Sequence, residues 1–391
     1  MGIFSRNKEK QELILVFDIG SSSVGGALFW MQESGIPKII FSMREQIVLE
    51  KQFQTDRFFL QTIKSLNDVV EKIYKMGLGA PNKIFCVLSS PWYYSQTRII
   101  NFTQNTSFLF TPELADKLVQ KELNIFKEEY LAKQENSEDE VRLIELKNIQ
   151  IILNGYETFQ PLNQKAKKLE MTIFISMGGE NVLKKIVETI ATRFHFKEIN
   201  FTTFAMTSFT TIRDLYIHSD SFLLVDVGGE VTDISLIKNN ILFESISYPL
   251  GSNSIIRGMA TTLRSSLSEA KSFTSLLKDG HASESVEKKL ELILEKLKTE
   301  WLKKFQESLA NLSHDISIPA NIYLTVEKDL SDFFLKTIEG EQFNQYTLTE
   351  SKFKITFLST EIFQEKVIFE TGVMRDTSLV IDAIYINRFL K

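Results

Sequence analysis

An internally duplicated α/β protein, two halves around a cleft with a smaller α+β block inserted in the first, is the fold class this sequence predicts. Three observations carry it. LILVFDIG (13–20) returns as FLLVDVGG (222–229), each a continuous apolar run closed by Asp-x-Gly. Each is followed by two strand-like runs that read as a hairpin. Between them, from 83 to about 170, the texture changes to short strands, one helix and a charged loop. Size and composition agree: 391 residues suffice for roughly two to three domains, and 43% hydrophobic with 24% charged residues is ordinary for a globular protein.

Residues 1–11 form a short basic tail, too polar for a signal peptide. The first half takes 12–82 and 171–220. Its opening apolar run reads as a strand buried on both faces, VGGALFWM (24–31) and KIIFSMREQIVL (38–49) as the hairpin, and 55–76 as an amphipathic helix with Thr55 as its cap. The insertion, 83–170, holds strands at 83–90, 97–103, 142–153 and 168–176. Its helix, at 111–126, has Pro112 in the first turn, and KQENSEDE (133–140) is an exposed loop. Then come an amphipathic helix at 180–194, a strand at 196–202 and an apolar helix at 204–217. The second half, 221–391, has strands at 222–229, 231–239 and 241–251, helices at 252–264, 266–278 and 285–312, a strand at 321–326 and a helix at 327–339. The near-heptad row from Leu290 to Leu312 is expected to be one buried helical face, with a coiled-coil partner as the alternative. The tail 378–391 is expected to pack in the core, with a membrane-lying helix as its alternative.

A net charge of -5 supplies no basic field for a nucleic-acid backbone, so no nucleic-acid partner is expected. One cysteine, Cys86, excludes an internal disulfide and any multi-cysteine metal site, and no apolar run reaches the length of a membrane span. A soluble cytoplasmic protein is expected. The four histidines, at 195, 218, 281 and 314, have no ligand spacing, and no Gly-x-Ser-x-Gly elbow occurs. Ser90-Pro91-Trp92-Tyr93-Tyr94 reads either as a partner-binding knob or as a plug beneath a loop.

A strand that ends in Asp-x-Gly and gives way to small residues exposes successive backbone N–H groups, which suits phosphate. Gly20, Ser21 and Ser22 on one turn, with Gly228 and Gly229 on the other, are the candidate phosphate-binding residues. Asp18 and Asp226 are the candidate magnesium ligands, directly or through water. On spacing alone, ordinary strand-to-hairpin turns explain the same residues.

DIGSSSV (18–24) and DVGGEVTD (226–233) resemble the two phosphate loops of the actin-like ATPases. NGYETFQPLNQKAKKLEMTIFIS (154–176) and ISYPLGSNSIIRGMATTLRSSLSEAK (246–271) narrow the resemblance to the family of the cell-division protein FtsA and its pilus relative PilM. The likeness covers roughly residues 12–340. It implies an actin-like (ribonuclease H-like) duplicated two-domain fold with an inserted α+β subdomain. ATP and Mg2+ are the implied cofactors, held by the residues named above and by Thr232 of the second loop. The implied role is an FtsA-like scaffold at the inner membrane face that contacts division-ring proteins and self-associates, with peripheral membrane contact. A PilM-like adaptor among pilus-assembly proteins and an active ATPase are the alternatives.

The chain departs from that pattern at four places. Glu230 stands where the family has glycine near the terminal phosphate. Ala270-Lys271-Ser272-Phe273-Thr274 replaces Ala-Glu-x-x-Lys, TVEKDL (325–330) has no glycine, and Thr202 and Thr203 stand where a water-orienting Glu or Gln is common. These departures imply a degraded nucleotide site without hydrolysis, with Glu230 repelling phosphate.

Overall fold

A computed structural model describes residues 12–32, 34–133, 140–278, 284–313, 317–341, 346 and 352–390. The expected basic tail, most of the charged loop at 133–140, His281 and His314 lie outside the described residues.

The chain opens with an antiparallel meander of β1 (Leu13–Ile19), β2 (Ser23–Trp30) and β3 (Lys38–Gln46), followed by α1 (Thr55–Lys75) and β4 (Lys83–Leu88). Gln54, not Thr55, is the N-cap of α1, and no side chain caps it, because Thr55 is already helical. α1 lies directly over Gly26, where a Cβ would meet Val69 Cγ1 at 2.7 Å. β4 runs parallel to β1, so it belongs to the first sheet and the insertion begins later than the expected residue 83.

The insertion contains β5 (Tyr94–Leu109), α2 (Pro112–Lys133), β6 (Val141–Leu153), β7 (Tyr156–Glu157) and β8 (Lys165–Gly179). Its sheet has the order β5-β8-β6-β7, and one face buries Leu169, Met171 and Ile173 with Phe126 of α2. Pairing along β8 continues to Gly179, past the expected return at 171.

Next come α3 (Glu180–Ala191), β9 (Ile199–Thr203) and α4 (Phe204–Leu215), which complete the first half's central part. The second half repeats the opening as β10 (Phe222–Val227), β11 (Thr232–Lys238) and β12 (Ile241–Tyr248). α5 (Ser252–Leu263), α6 (Leu267–Lys278), α7 (Glu284–Ser313), β13 (Asn321–Val326), α8 (Ser331–Glu339) and β14 (Lys354–Phe357) follow. β10 pairs antiparallel with β11 and parallel with β13, as β1 does with β2 and β4. That shared pairing is the duplication, seen in three dimensions.

The last elements correct the expected assignment of 221–391 to the second half. β15 (Ile368–Phe369) pairs with β3, and α9 (Thr377–Phe389) packs on α4, β1 and β2. Leu379, Val380, Ile381, Ala383 and Ile386 share a core with Ile14, Val16 and Phe29, so α9 is an interior helix.

Alternate residues of β1 face opposite layers: Leu13, Leu15 and Phe17 meet α1 and α3, while Ile14 and Val16 meet α4 and α9. β10 does the same, with Phe222 and Leu224 toward the α4–α9 layer and Leu223 and Val225 toward α5, α7 and α8. Five layers result, with α4 and α9 between the sheets. The near-heptad row of α7 is buried on the outer face of the second sheet through Leu290, Trp301, Phe305, Leu309 and Leu312.

Candidate functional site

The turns after β1 and β10 are built alike. Gly20 N–H donates to Ser23 O at 3.1 Å, and Gly228 N–H donates to Val231 O at 3.0 Å. The turns meet. Glu230 N–H donates to Ser21 Oγ at 3.1 Å, and a Cβ on Gly229 would lie 2.6 Å from Ser21 O. Glycine is needed at 229 for this approach. Beside the contact opens a cavity of about 640 Å³, lined by Asp18, Gly20, Ser21, Ser22, Asp226, Gly228 and Lys271 among others.

The structure places two candidates elsewhere. Gly229 is pressed between the turns instead of lining the cavity. Thr232 is fully buried; its hydroxyl donates to Leu250 O at 2.6 Å and accepts from Trp301 Nε1 at 3.2 Å. Its alternation on β11 turns it into the core below α7, so it is no phosphate ligand.

Glu230 also differs from its expected role. Arg257 Nη1 and Nη2 donate to its two oxygens at 2.7 and 2.8 Å, and Asn253 Nδ2 donates at 2.7 Å. This bidentate pairing draws the carboxylate away from the cavity, so it places no free charge beside a phosphate. Arg257 Nε continues to Glu50 O at 2.8 Å, joining the second half to the chain after β3.

Arg44, which sequence reading passed over, dominates the electrostatics. Register places Asp18, Gly25 and Arg44 side by side on β1, β2 and β3. Gly25 leaves room for the arginine to cross β2: a Cβ there would stand 2.8 Å from Arg44 Nη2. Nη2 donates to Asp18 at 2.6 Å, Nε and Nη2 donate to Asp376 at 2.6 and 2.9 Å, and Nη1 donates to Ser23 at 3.0 Å. Burial lowers Arg44, but Asp376 and Asp18 outweigh it and hold the guanidinium well above its ordinary value. Burial raises Asp18 against the pull of Arg44. Asp226 is pushed up to about 7 by burial and then by Asp233, opposed by the hydroxyl of Thr325, which donates at 2.6 Å.

Asp18 does not fit as a magnesium ligand. A hard divalent ion requires free carboxylate oxygens, and Asp18 already faces a cation. Of the turn N–H groups, that of Glu230 is given to Ser21 Oγ.

Thr202 and Thr203 serve the insertion. Glu145 of β6 accepts from Thr202 Oγ1 at 2.5 Å, and from Thr203 N and Oγ1 at 2.9 Å each, at the N-terminus of α4. Beside this lock runs a groove of about 560 Å³ between β6 and β9, lined by Arg142–Lys147, Phe196–Thr202, Tyr385 and Phe389. Among the described residues β9 pairs only with β4. Residues 141–149 of β6 pair only with β8. Two strand edges therefore face the groove with unpaired backbone groups. Arg142 lies 5.4 Å from the centroid of the Phe201 ring and Lys147 lies 4.2 Å from that of Phe389.

The aromatic run at 90–94 is a plug: Trp92 is buried, stacks on Phe58 at 5.0 Å and donates to Gly20 O at 3.0 Å. Cys86 is buried mid-strand, where burial pushes its thiol up. Among the described residues no group of three or more His, Cys, Asp or Glu is arranged to hold a metal ion, and no helix is long and apolar enough to cross a membrane.

No family model and no curated protein matches the sequence. Solved structures do. A PilM–PilN type IV pilus biogenesis complex is 13% identical, with 96% of this chain and 97% of that chain covered, at a TM-score of 0.60. The ethanolamine utilization protein EutJ from Carboxydothermus hydrogenoformans is 10% identical over 97% of this chain and 90% of its own, at 0.44. A protein with actin-like ATPase fold and unknown function from Bacteroides thetaiotaomicron is 9% identical over 98% and 99%, at 0.39. The fold is that of the actin-like ATPases.

Proposed function

We propose that this chain is a cytoplasmic adaptor of the PilM kind, which holds a short extended segment of a membrane-anchored pilus-assembly partner in the β6–β9 groove. The observation that carries the reading is the groove itself. Two unpaired strand edges offer backbone hydrogen bonds to an added strand, and the aromatic floor with Arg142, Lys147 and Lys197 offers side-chain selection. A segment mixing apolar and acidic residues fits that lining. The likeness to a PilM–PilN complex over nearly the whole chain supports a partner from pilus assembly.

A division scaffold, which the resemblance of residues 154–176 and 246–271 to the FtsA and PilM family also allows, is the second reading. Self-association and membrane contact remain parts of that reading. A single experiment separates the two. A fluorescent peptide of the cytoplasmic tail of a PilN-type protein from the same genome is titrated with the full chain. Binding is expected, and Leu146→Asp, at a position 37% exposed in the groove, should weaken it about tenfold or more, roughly 1.4 kcal/mol. A tail that does not bind, or binds the variant equally well, overturns the adaptor reading.

A further inference from the structure

We infer that Arg44 is the resident cation of the central cleft, standing in for the divalent ion that the fold would otherwise hold. Two observations carry this. The guanidinium donates to buried Asp18, the strand-tip carboxylate, and to both oxygens of half-buried Asp376, so two carboxylates are neutralised by one covalently attached charge. The path is built for it: Gly25 sits in register between Asp18 and Arg44, and any larger residue would obstruct the side chain.

A magnesium ion at Asp18 would face a guanidinium at close range. Without Arg44, by contrast, Asp18 and Asp376 would face each other unneutralised, which is the donor set of a hard cation. The inference does not depend on the groove, because peptide capture is read separately.

The test is the thermal melting of the full chain with magnesium chloride, and with Mg-ATP, at about 10 mM. Wild type should not shift. Arg44→Ser should melt lower and recover by about 2 °C or more on adding magnesium, as a newly exposed ion site requires. Arg44→Lys, which keeps the charge, should show no magnesium response. A wild-type shift as large as that of Arg44→Ser, or a folded Arg44→Ser without a magnesium response, overturns the inference. If Arg44→Ser does not fold, Gly25→Ala takes its place, since it displaces the guanidinium from Asp18 without deleting it. A magnesium response in Gly25→Ala supports the assignment, and its absence overturns it.

Discussion

Glu145 belongs to the insertion, yet its carboxylate completes the N-terminus of α4 in the first half. Burial pushes its pKa up; the Thr202 and Thr203 hydroxyls, Lys147 and the Thr203 N–H pull against it, and the net direction is upward. A carboxyl raised in the folded state stabilises fully below its unfolded value, and that stability is lost as pH rises through the folded value. Stability of wild type should therefore fall relative to Glu145→Gln as pH rises from the ordinary carboxylate value of 4.5 toward neutrality, measured by urea unfolding at each pH. A difference that is constant with pH would show that Glu145 is not titrating there. Residue identity alone could not reveal this lock. Thr202 and Thr203 looked like a lost catalytic position, because their partner lies on a strand of another sheet. Arg44 was hidden for a similar reason: only the register across Gly25 brings it to Asp18, whereas Asp18 and Asp226 announced themselves by strand-ending Gly turns.

At the scale of elements, long apolar runs were legible and short edge strands were not. β1, β10 and β13 read directly from continuous apolar residues, and α7 from its repeating row. β14 has four residues and β15 two, too few for any period to show, so the return of the chain to the first sheet could not be read. Thr232 was misassigned because strand alternation, and not proximity to the Gly turn, decides which way β11 points it. The turn-to-turn contact makes its own prediction. Gly229→Ala places a methyl against the Ser21 backbone, which has no flexible side-chain end to yield. It should destabilise the chain by about 1–3 kcal/mol in denaturant unfolding. An unchanged midpoint would mean that the two turns part freely.

The whole molecule is stitched through the layer of α4 and α9, whose core takes Ile14 and Phe29 from one sheet and Phe222 and Tyr323 from the other. The halves should therefore melt together. Ile386→Ala, fully buried in that layer, should cost about 2–4 kcal/mol and move a single calorimetric transition. Two transitions, with one unmoved, would show independent halves. The same stitching bears on synthesis. A ribosome releases β1, β2 and β3 long before it makes α9, so the first sheet emerges with the Ile14–Val16–Phe29 face uncovered. That face is not fully covered until α9 has been made. The nascent chain is thus a natural client for chaperones, and messages cut short before α9 should yield aggregates cleared by proteases, not a working fragment.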